Sequence, residues 1–430
     1  MASILALKGG RPVRRAPFPS WPVSGAEERR LVLEVLDGGV WSGVGPKERE
    51  FAARFAAFSG ATRAVCVSNG TVALEIALRA LGVGPGDEVV VPALTWVATA
   101  WAAVQVGASP VFADVGENDW CLDPASVRDA ITGRTSIVIP VHLYGQIAPL
   151  DEIVAIGRER AVDVVEDCAH AIGSRWADRG VGTLGRLGCF SFQQSKAITA
   201  GEGGALVTDD EGLAERVHAL MDCGRPPRED GQPGFGGNHR ITEFQAAVLL
   251  AQLDRLAQQM ATKAENVARL RERLAGFPGV SALPPQERAT RVGMYGFGMR
   301  YDRREFDDLP RKVFLQALEA EGVPVRIPYP PVYRSPLWTS GVSSLRWGPG
   351  DDARARLGLG ARCPVAERVS KESGFVIPHE VFLGHAADMD DIVAALEKVR
   401  DHRSELRLLG WSRRARDGVR ELFEDLGFRR

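Results

Sequence analysis

The chain has 430 residues, 45% apolar and 25% charged, with 53 basic and 55 acidic side chains for a net charge of -2. That length suggests one large domain plus a smaller one, and the near-neutral balance gives no electrostatic footprint for nucleic acid or an anionic membrane. The six cysteines are scattered, without CxxC or paired zinc-ligand spacing, so neither a disulfide framework nor a structural metal is expected and a reducing cytoplasm fits.

The opening MASILALKGGRPVRRAPFPSWP is interrupted by Lys8 and then by glycines, arginines and prolines, and lacks the hydrophobic core of a secretory signal. No stretch approaches membrane-spanning length without charge or proline. Apolar strand-like runs then alternate with helical patterns: AVCVS with TVALEIALRALG, EVVVPAL with WVATAWAAVQVG, SPVFADV with PASVRDAIT, SIVIPVHLYG with DEIVAIGRER, and finally VDVVEDCAHA. This rhythm predicts an α/β fold, a mostly parallel sheet with helices on both faces and an active site at the strand ends. Next come short strands in GCFSFQ and GALVTDD, separated by a lysine loop, and the helix EGLAERVHALMDCG. A long helix is predicted from Thr242 to about Ala275, opened by Thr242 and Gln245 in capping-box spacing. The expected division is a large domain with an N-terminal arm over 1–265 and a smaller α+β domain over 266–430, holding MYGFGMRYD, VFLQALEAEG and MDDIVAALEKVR. The arginine-rich end from Asp401 mixes acids and bases at helical spacing and reads as a solvated terminal helix.

Lys196 lies between the strand GCFSF and the turn GEGG, and Asp167 ends the strand VDVVED. A lysine and a carboxylate so placed suit pyridoxal phosphate: the lysine forms a Schiff base with the cofactor aldehyde, and the carboxylate keeps the pyridine nitrogen protonated so that the ring accepts electrons. In VSNGTVALEIAL, Gly70 and Thr71 stand where a strand ends and a helix begins, so free N–H groups and the helix dipole can meet a phosphate. Strand alternation sends Phe190 and Phe192 to the core and Ser191 to the site, as a further phosphate ligand. Trp96, after a buried strand, can stack on the pyridine. Each residue also has an ordinary reading: a helix cap for Asp167, a core ring for Trp96, a satisfied core histidine for His170.

In combination, SNGTVALEIAL, VPALTWVATAWA, PVHLYGQ, VEDCAHAIG, GCFSFQQSKAITAGEGGALVT and GNHRITEFQAAVLLAQLDRL resemble the DegT/DnrJ/EryC1/StrS family of pyridoxal-phosphate aminotransferases, of fold type I. The resemblance runs from LALKGGRPVRRAPFPSWP to about Val399. It implies that Lys196 carries the cofactor, that Asp167 partners the pyridine nitrogen, that Trp96 stacks on the ring, and that Gly70, Thr71 and Ser191 hold the phosphate. His170 stands where many members have glutamine, near the phenolic oxygen. Asn238 in GNHR is similar to the asparagine that reaches the phosphate of a neighbouring subunit, which implies a homodimer with shared sites. Members that became sugar dehydratases replace the lysine with histidine, so Lys196 implies transamination with pyridoxamine phosphate as intermediate. The opening, the FSFQQSK and TAGEGG runs, and CPVAERVSKESGFVIPH look most like the branch acting on keto-cyclitols such as scyllo-inosose with L-glutamine as donor. Nucleotide-ketosugar aminotransferases and 3-amino-5-hydroxybenzoate synthases are the alternatives within the family, and a cofactor-binding regulatory scaffold is the non-enzyme one. By composition, Tyr329, Tyr333 and Arg334 in RIPYPPVYRSPLW are candidates to close over the substrate.

Overall fold

In this computed structural model, which describes residues 4–227, 231, 234–344 and 357–412, the first apolar runs become β1 (Arg63–Val67), β2 (Glu88–Pro92), β3 (Ser109–Ala113), β4 (Thr135–Val138) and β5 (Asp163–Asp167). A short hairpin, β6 (Arg175–Trp176) and β7 (Arg179–Gly180), precedes β8 (Leu187–Ser191) and β9 (Gly204–Thr208). The large sheet is seven-stranded in the order β1-β9-β8-β5-β4-β2-β3. Only β9 runs against its neighbours, antiparallel to both β1 and β8; the other pairs are parallel. Strand β2, EVVVP, is buried at every position, as expected where helices cover both faces of a parallel sheet.

Helices α1 (Ala26–Gly38) and α2 (Pro46–Ser59) precede this sheet, while α3 (Gly70–Ala80), α4 (Ala98–Gln105), α5 (Pro124–Ala130) and α6 (Leu150–Arg160) connect its parallel strands. After β9 comes α7 (Glu211–Met221). The alternation in GCFSF works as expected: Phe190 and Phe192 pack edge-on against Phe55 at 5.0 and 5.3 Å. Burying rings of this size stabilises the fold by about 1.5–3 kcal/mol each. Ser191 points the other way, against Gly70.

The long helix α8 (Glu243–Arg273) is opened by Thr242, with Gln245 completing the capping box. Its first residue has a second task, since the buried Glu243 carboxylate accepts the backbone N–H groups of Lys47 and Glu48 at 2.8 and 2.9 Å. A carboxylate placed there satisfies orphan donors and complements the dipole of α2. Further along, Met260 still packs in the core beside the large sheet, whereas Leu270 belongs to a separate apolar cluster. That cluster is built on an antiparallel sheet of β10 (Val280–Ala282), β12 (Gly296–Tyr301) and β13 (Gly374–Pro378), while the intervening β11 (Ala289–Arg291) joins the β6–β7 hairpin. Helix α9 (Arg311–Ala320) and the helix Ala386–Asp401 cover it.

The N-terminal segment returns to this second cluster. Leu5 is buried in it, and the Ala6 and Val13 amides donate to the Glu321 carboxylate at 2.8 and 3.0 Å. Among the described residues no helix is long and apolar enough to cross a membrane. The arginine-rich end is helical over Arg403–Ser412, and residues 413–430 lie outside the described part.

Candidate active site

The strand ends of the large sheet gather the residues singled out in the sequence. Asn69 caps α3, accepting the Val72 amide at 2.9 Å, which leaves the Gly70 and Thr71 amides as the first turn of a helix of 11 residues. Such amides have no intrahelical acceptor and carry the positive end of the helix dipole. Gly70 packs so tightly that an added Cβ would lie 2.7 Å from the Ser191 Cβ. On β9, Gly204 is equally confined: its Cβ would lie 2.6 Å from the Asn69 carbonyl carbon. The ends of β1, β8 and β9 thus close around the start of α3 with no side-chain bulk, a cradle for an anion the size of a phosphate.

Asp167, at the end of β5, is buried; its Oδ2 accepts from the Thr99 hydroxyl at 2.9 Å and its Oδ1 from the Ala169 amide at 3.1 Å. No helix follows Asp167 for it to cap: one oxygen closes a turn on the Ala169 amide, while the other is held by Thr99 of α4. Burial pushes its carboxyl up, with the two hydrogen bonds and the nearby Lys196 and His142 opposing that shift. The Lys196 amine is likewise buried. Desolvation pushes it down from the ordinary lysine value, against the opposing pull of Tyr295 and Asp167. A lysine so placed holds a free base nearer to neutrality than an exposed one.

Lys196 Nζ lies 4.4 Å from the centre of the Tyr295 ring. His170 stacks on the same ring at 3.7 Å; its Nδ1 is buried without a hydrogen-bond partner. Desolvation, then Lys196 and His379, drive the His170 imidazole well below its usual pKa, keeping it neutral. Around it stand Tyr144 at 5.6 Å and Tyr329 at 6.0 Å, and the Trp96 ring lies 5.6 Å from Tyr329. Tyr144 adopts φ 49°, a left-handed conformation that costs a non-glycine residue about 1–2 kcal/mol. It delivers the hydroxyl to the Tyr329 amide at 3.3 Å.

The residues present fit pyridoxal phosphate. An orphaned imidazole nitrogen, a buried carboxylate, a half-buried lysine with a desolvated amine and a bulk-free helix start all lie at one end of the sheet's strands. Of the substrate-closing candidates, Tyr329 belongs to this group. Tyr333 does not: it is buried against Phe112 at 5.5 Å and donates to Glu367 at 2.8 Å. Arg334 pairs with the same Glu367 on the surface. Asn238 is exposed, in a loop stitched to the end of α7 by a bridge to Asp222. The following carbonyl, of His239, accepts the Ser68 amide at 2.7 Å, so the loop passes the β1–α3 junction of its own chain.

Thr99, Tyr144 and Tyr295 were not singled out in the sequence. Thr99 had a signal, as it falls one helical turn after Thr95 in the TWVAT run that supplied Trp96. The tyrosines had none beyond glycine neighbours in LYGQ and MYGFG. Another cluster, His142, Glu166 and Cys168, brings potential metal ligands together, but its polar atoms are engaged. Glu166 accepts the amides of Gly182, Leu184 and Gly185 and faces His142 Nε2 at 3.2 Å, and His142 Nδ1 accepts the Ala148 amide. This network ties the β6–β8 connection to β5.

Known proteins share both the sequence and the shape. A sequence model of the DegT/DnrJ/EryC1/StrS aminotransferase family matches residues 22–346. The chain is 38% identical over 426 residues to the L-glutamine:2-deoxy-scyllo-inosose aminotransferase of Streptomyces fradiae, covering 94% of this chain and 100% of the relative. It is 40% identical over 420 residues, 95% of this chain and 100% of the relative, to a Streptoalloteichus tenebrarius protein provisionally named L-glutamine:3-amino-2,3-dideoxy-scyllo-inosose aminotransferase. The crystal structure of 3-amino-5-hydroxybenzoic acid synthase superposes with a TM-score of 0.79 at 34% identity, over 91% of this chain and 100% of the other. DesV from S. venezuelae, solved with a ketimine intermediate, gives 0.74 at 31% identity over 90% and 99%. With a family match over most of its length, and with the buried lysine, carboxylate and anion cradle of such an enzyme at its strand ends, the chain belongs to the DegT/DnrJ/EryC1/StrS aminotransferase family.

Proposed function

We propose that this pyridoxal-phosphate-dependent aminotransferase moves the amino group of L-glutamine to a keto-cyclitol of the scyllo-inosose type, in two half-reactions through pyridoxamine phosphate. The observation that carries the chemistry is the buried Lys196 amine set against Asp167, Tyr295 and the unpartnered His170 Nδ1. The substrate class is supported by full-length likeness to the glutamine:scyllo-inosose aminotransferases.

When bound, the cofactor supplies an electron sink for the carbanion left at the donor's α carbon. Lys196 Nζ takes the α proton of glutamine and, in the second half-reaction, returns a proton to the carbon that was the cyclitol ketone. Asp167, its two oxygens oriented by the Thr99 hydroxyl and the Ala169 amide, would keep the pyridine nitrogen protonated. The Gly70 and Thr71 amides and the Ser191 hydroxyl bind phosphate. Trp96 would cover the ring, and neutral His170 would offer its imidazole to the phenolic oxygen. Product keto acid leaves before the ketone binds, so kinetics are ping-pong.

The active unit is a homodimer in which Asn238 reaches the phosphate of the other subunit. Its exposure supports this, as do apolar side chains left facing outward around it: Phe235 is 99% exposed and Trp41 52%, and the loop after Trp41 packs on Arg240 and Ile241. Exposed apolar groups concentrated in this way mark a protein interface. The division of the chain near residue 265 is supported by the change of core along α8 between Met260 and Leu270. A cytoplasmic location suits its free thiols.

The deciding experiment incubates the protein with pyridoxal phosphate, L-glutamine and either 2-deoxy-scyllo-inosose or a nucleotide ketosugar, with the amine identified by mass spectrometry. Amine from the ketosugar alone overturns the substrate assignment. For the shared site, inactive Lys196→Ala and Asn238→Asp chains are co-refolded. Mixed dimers should recover activity because one of their sites keeps both residues, and confirmed mixed dimers without activity overturn the role of Asn238.

A further inference from the structure

The turn that carries Lys196 is held from outside the large sheet. Within the turn, the Lys196 amide donates to the Gln193 carbonyl at 2.8 Å, and the Ser195 hydroxyl to the Gln193 side chain at 2.7 Å. The next two carbonyls face outward. The Gln194 carbonyl accepts from Trp21 Nε1 at 2.8 Å, and the Ser195 carbonyl lies 3.0 Å from His379 Nε2. A carbonyl has no proton to give, so Nε2 bears the hydrogen and Nδ1 the lone pair. That lone pair faces Lys263 Nζ at 2.8 Å.

Lys263 is only 3% exposed, in the middle of α8, and none of the ion pairs among the described residues involves it. Burial pulls its amine down to about 7, opposed only by Glu380. His379 is kept neutral by burial and by Lys263; Arg326 and Lys196 act in the same direction, and the bond to Ser195 opposes them. Glu380 also approaches His379 Nε2, at 3.8 Å. Trp21 closes the cluster edge-on to the imidazole at 4.7 Å. A buried lysine is costly, and an apolar side chain of its length would avoid the desolvation. Its returns are a distant contact with the face of the Trp21 ring, at 5.6 Å, and one hydrogen bond that fixes which nitrogen of His379 donates.

The placement of His379 makes that bond consequential. Gly296 and Pro378 are register partners on β12 and β13, so Tyr295 and His379, just beyond them, leave the small sheet side by side, their rings 6.1 Å apart. Tyr295 meets the Lys196 side chain and, at 3.2 Å, the Ser195 hydroxyl, while His379 meets the Ser195 backbone. We infer that Lys263 and His379 are positioning residues: the lysine sets the imidazole tautomer, and the imidazole fixes the backbone from which the Lys196 amine works. The inference rests on Lys196 being the cofactor-bearing lysine.

The test uses Lys263→Met, His379→Leu and His379→Gln in the full chain with cofactor bound. Glutamine can donate to the Ser195 carbonyl and accept from Lys263; leucine can do neither. The expected result for Lys263→Met and His379→Leu is kcat lowered about tenfold or more, KM for glutamine and ketone within about threefold of wild type, and a displaced pH midpoint for the visible band of the bound cofactor. His379→Gln restores most of both readouts. Thermal melting of the cofactor-free proteins separates positioning from scaffolding, since Lys263→Met should melt no lower than wild type. An unmoved band midpoint with kcat within twofold in Lys263→Met overturns the inference, as does His379→Gln behaving like His379→Leu. If Lys263→Met does not fold, the two His379 variants decide. Borohydride reduction and peptide mapping of the wild type check the underlying reading: a label away from Lys196 sinks that reading, whereas a label on Lys196 with unaffected variants sinks only the positioning role.

Discussion

Lys196 has two unlike sides. Toward the large sheet lie Asp167, Ser191, Gly70 and Thr71, supplied by strand ends and a helix start from the regular first half of the chain. Toward the smaller sheet lie Tyr295, Tyr329 and His379, supplied by residues beyond 290, together with Trp21 from the N-terminal segment. The first side is polar and bulk-free and offers an anion cradle; the second is aromatic and packs around the Lys196 amine. The difference teaches that a buried carboxylate and an anion cradle are local products of βα units, whereas placement of the Lys196 amine is a long-range product of packing.

Four substitutions test that contrast, in falling order of effect. Lys196→Ala should remove turnover entirely and remove the borohydride-fixed label, checked by peptide mapping of the reduced protein. Asp167→Asn should lower turnover by about a thousandfold or more, because an unprotonated pyridine is a poor electron sink. The same change should raise the melting temperature of the cofactor-free protein at neutral pH. The sign follows from burial: the carboxyl of Asp167 is raised in the folded state, so its contribution is fully present below its unfolded pKa and is lost as pH rises through the folded value. At neutral pH the buried charge therefore opposes folding until a cationic ring offsets it. A melting temperature lower than wild type contradicts this.

Next, Gly70→Ala sharpens the account of the bulk-free side. The new Cβ meets Ser191, so the affinity for pyridoxal phosphate should fall about tenfold or more in equilibrium dialysis, with circular dichroism unchanged. Smallest is Tyr295→Phe on the aromatic side, with a loss in kcat of about tenfold or less. Tyr295 raises the Lys196 pKa while burial lowers it. Removing the phenol should therefore move the amine further down, read in the cofactor-free protein as acylation of Lys196 persisting to lower pH. An upward shift reverses the assigned electrostatics.

The same contrast explains what the sequence could tell. The positions of Asp167, Ser191, Gly70 and Lys196 at the strand ends were legible because each sits at a fixed offset from a strand or helix that announces itself in the sequence, as in VDVVED or SNGTVALEIAL. The capped long helix was legible for the same reason, through Thr242 and Gln245. Nothing periodic connects Trp21, Lys263 and His379. Lys263 reads as one more charged residue of a long helix, and only the packing of the second cluster against α8 reveals that it is buried. The candidate Tyr333 went the other way: its proline-rich surroundings suggest a loop at the site, and the chain instead folds the ring onto Phe112. Helices α1 and α2 lie in a stretch assigned no elements from the sequence, although Phe51 and Phe55 form the surface on which Phe190 and Phe192 close.

The bond between His379 and Ser195 spans 184 positions, which sets a timetable for biosynthesis. A ribosome that has released Lys196 and β9 has delivered the strand ends and the anion cradle, yet the imidazole that meets the lysine turn is still untranslated. Trp21, made near the start, finds the Gln194 carbonyl within the first half of the chain but its edge-on contact with His379 only after β13 is made. A truncated nascent chain can thus present the anion cradle at the start of α3 but not the His379 contact on the Lys196 turn.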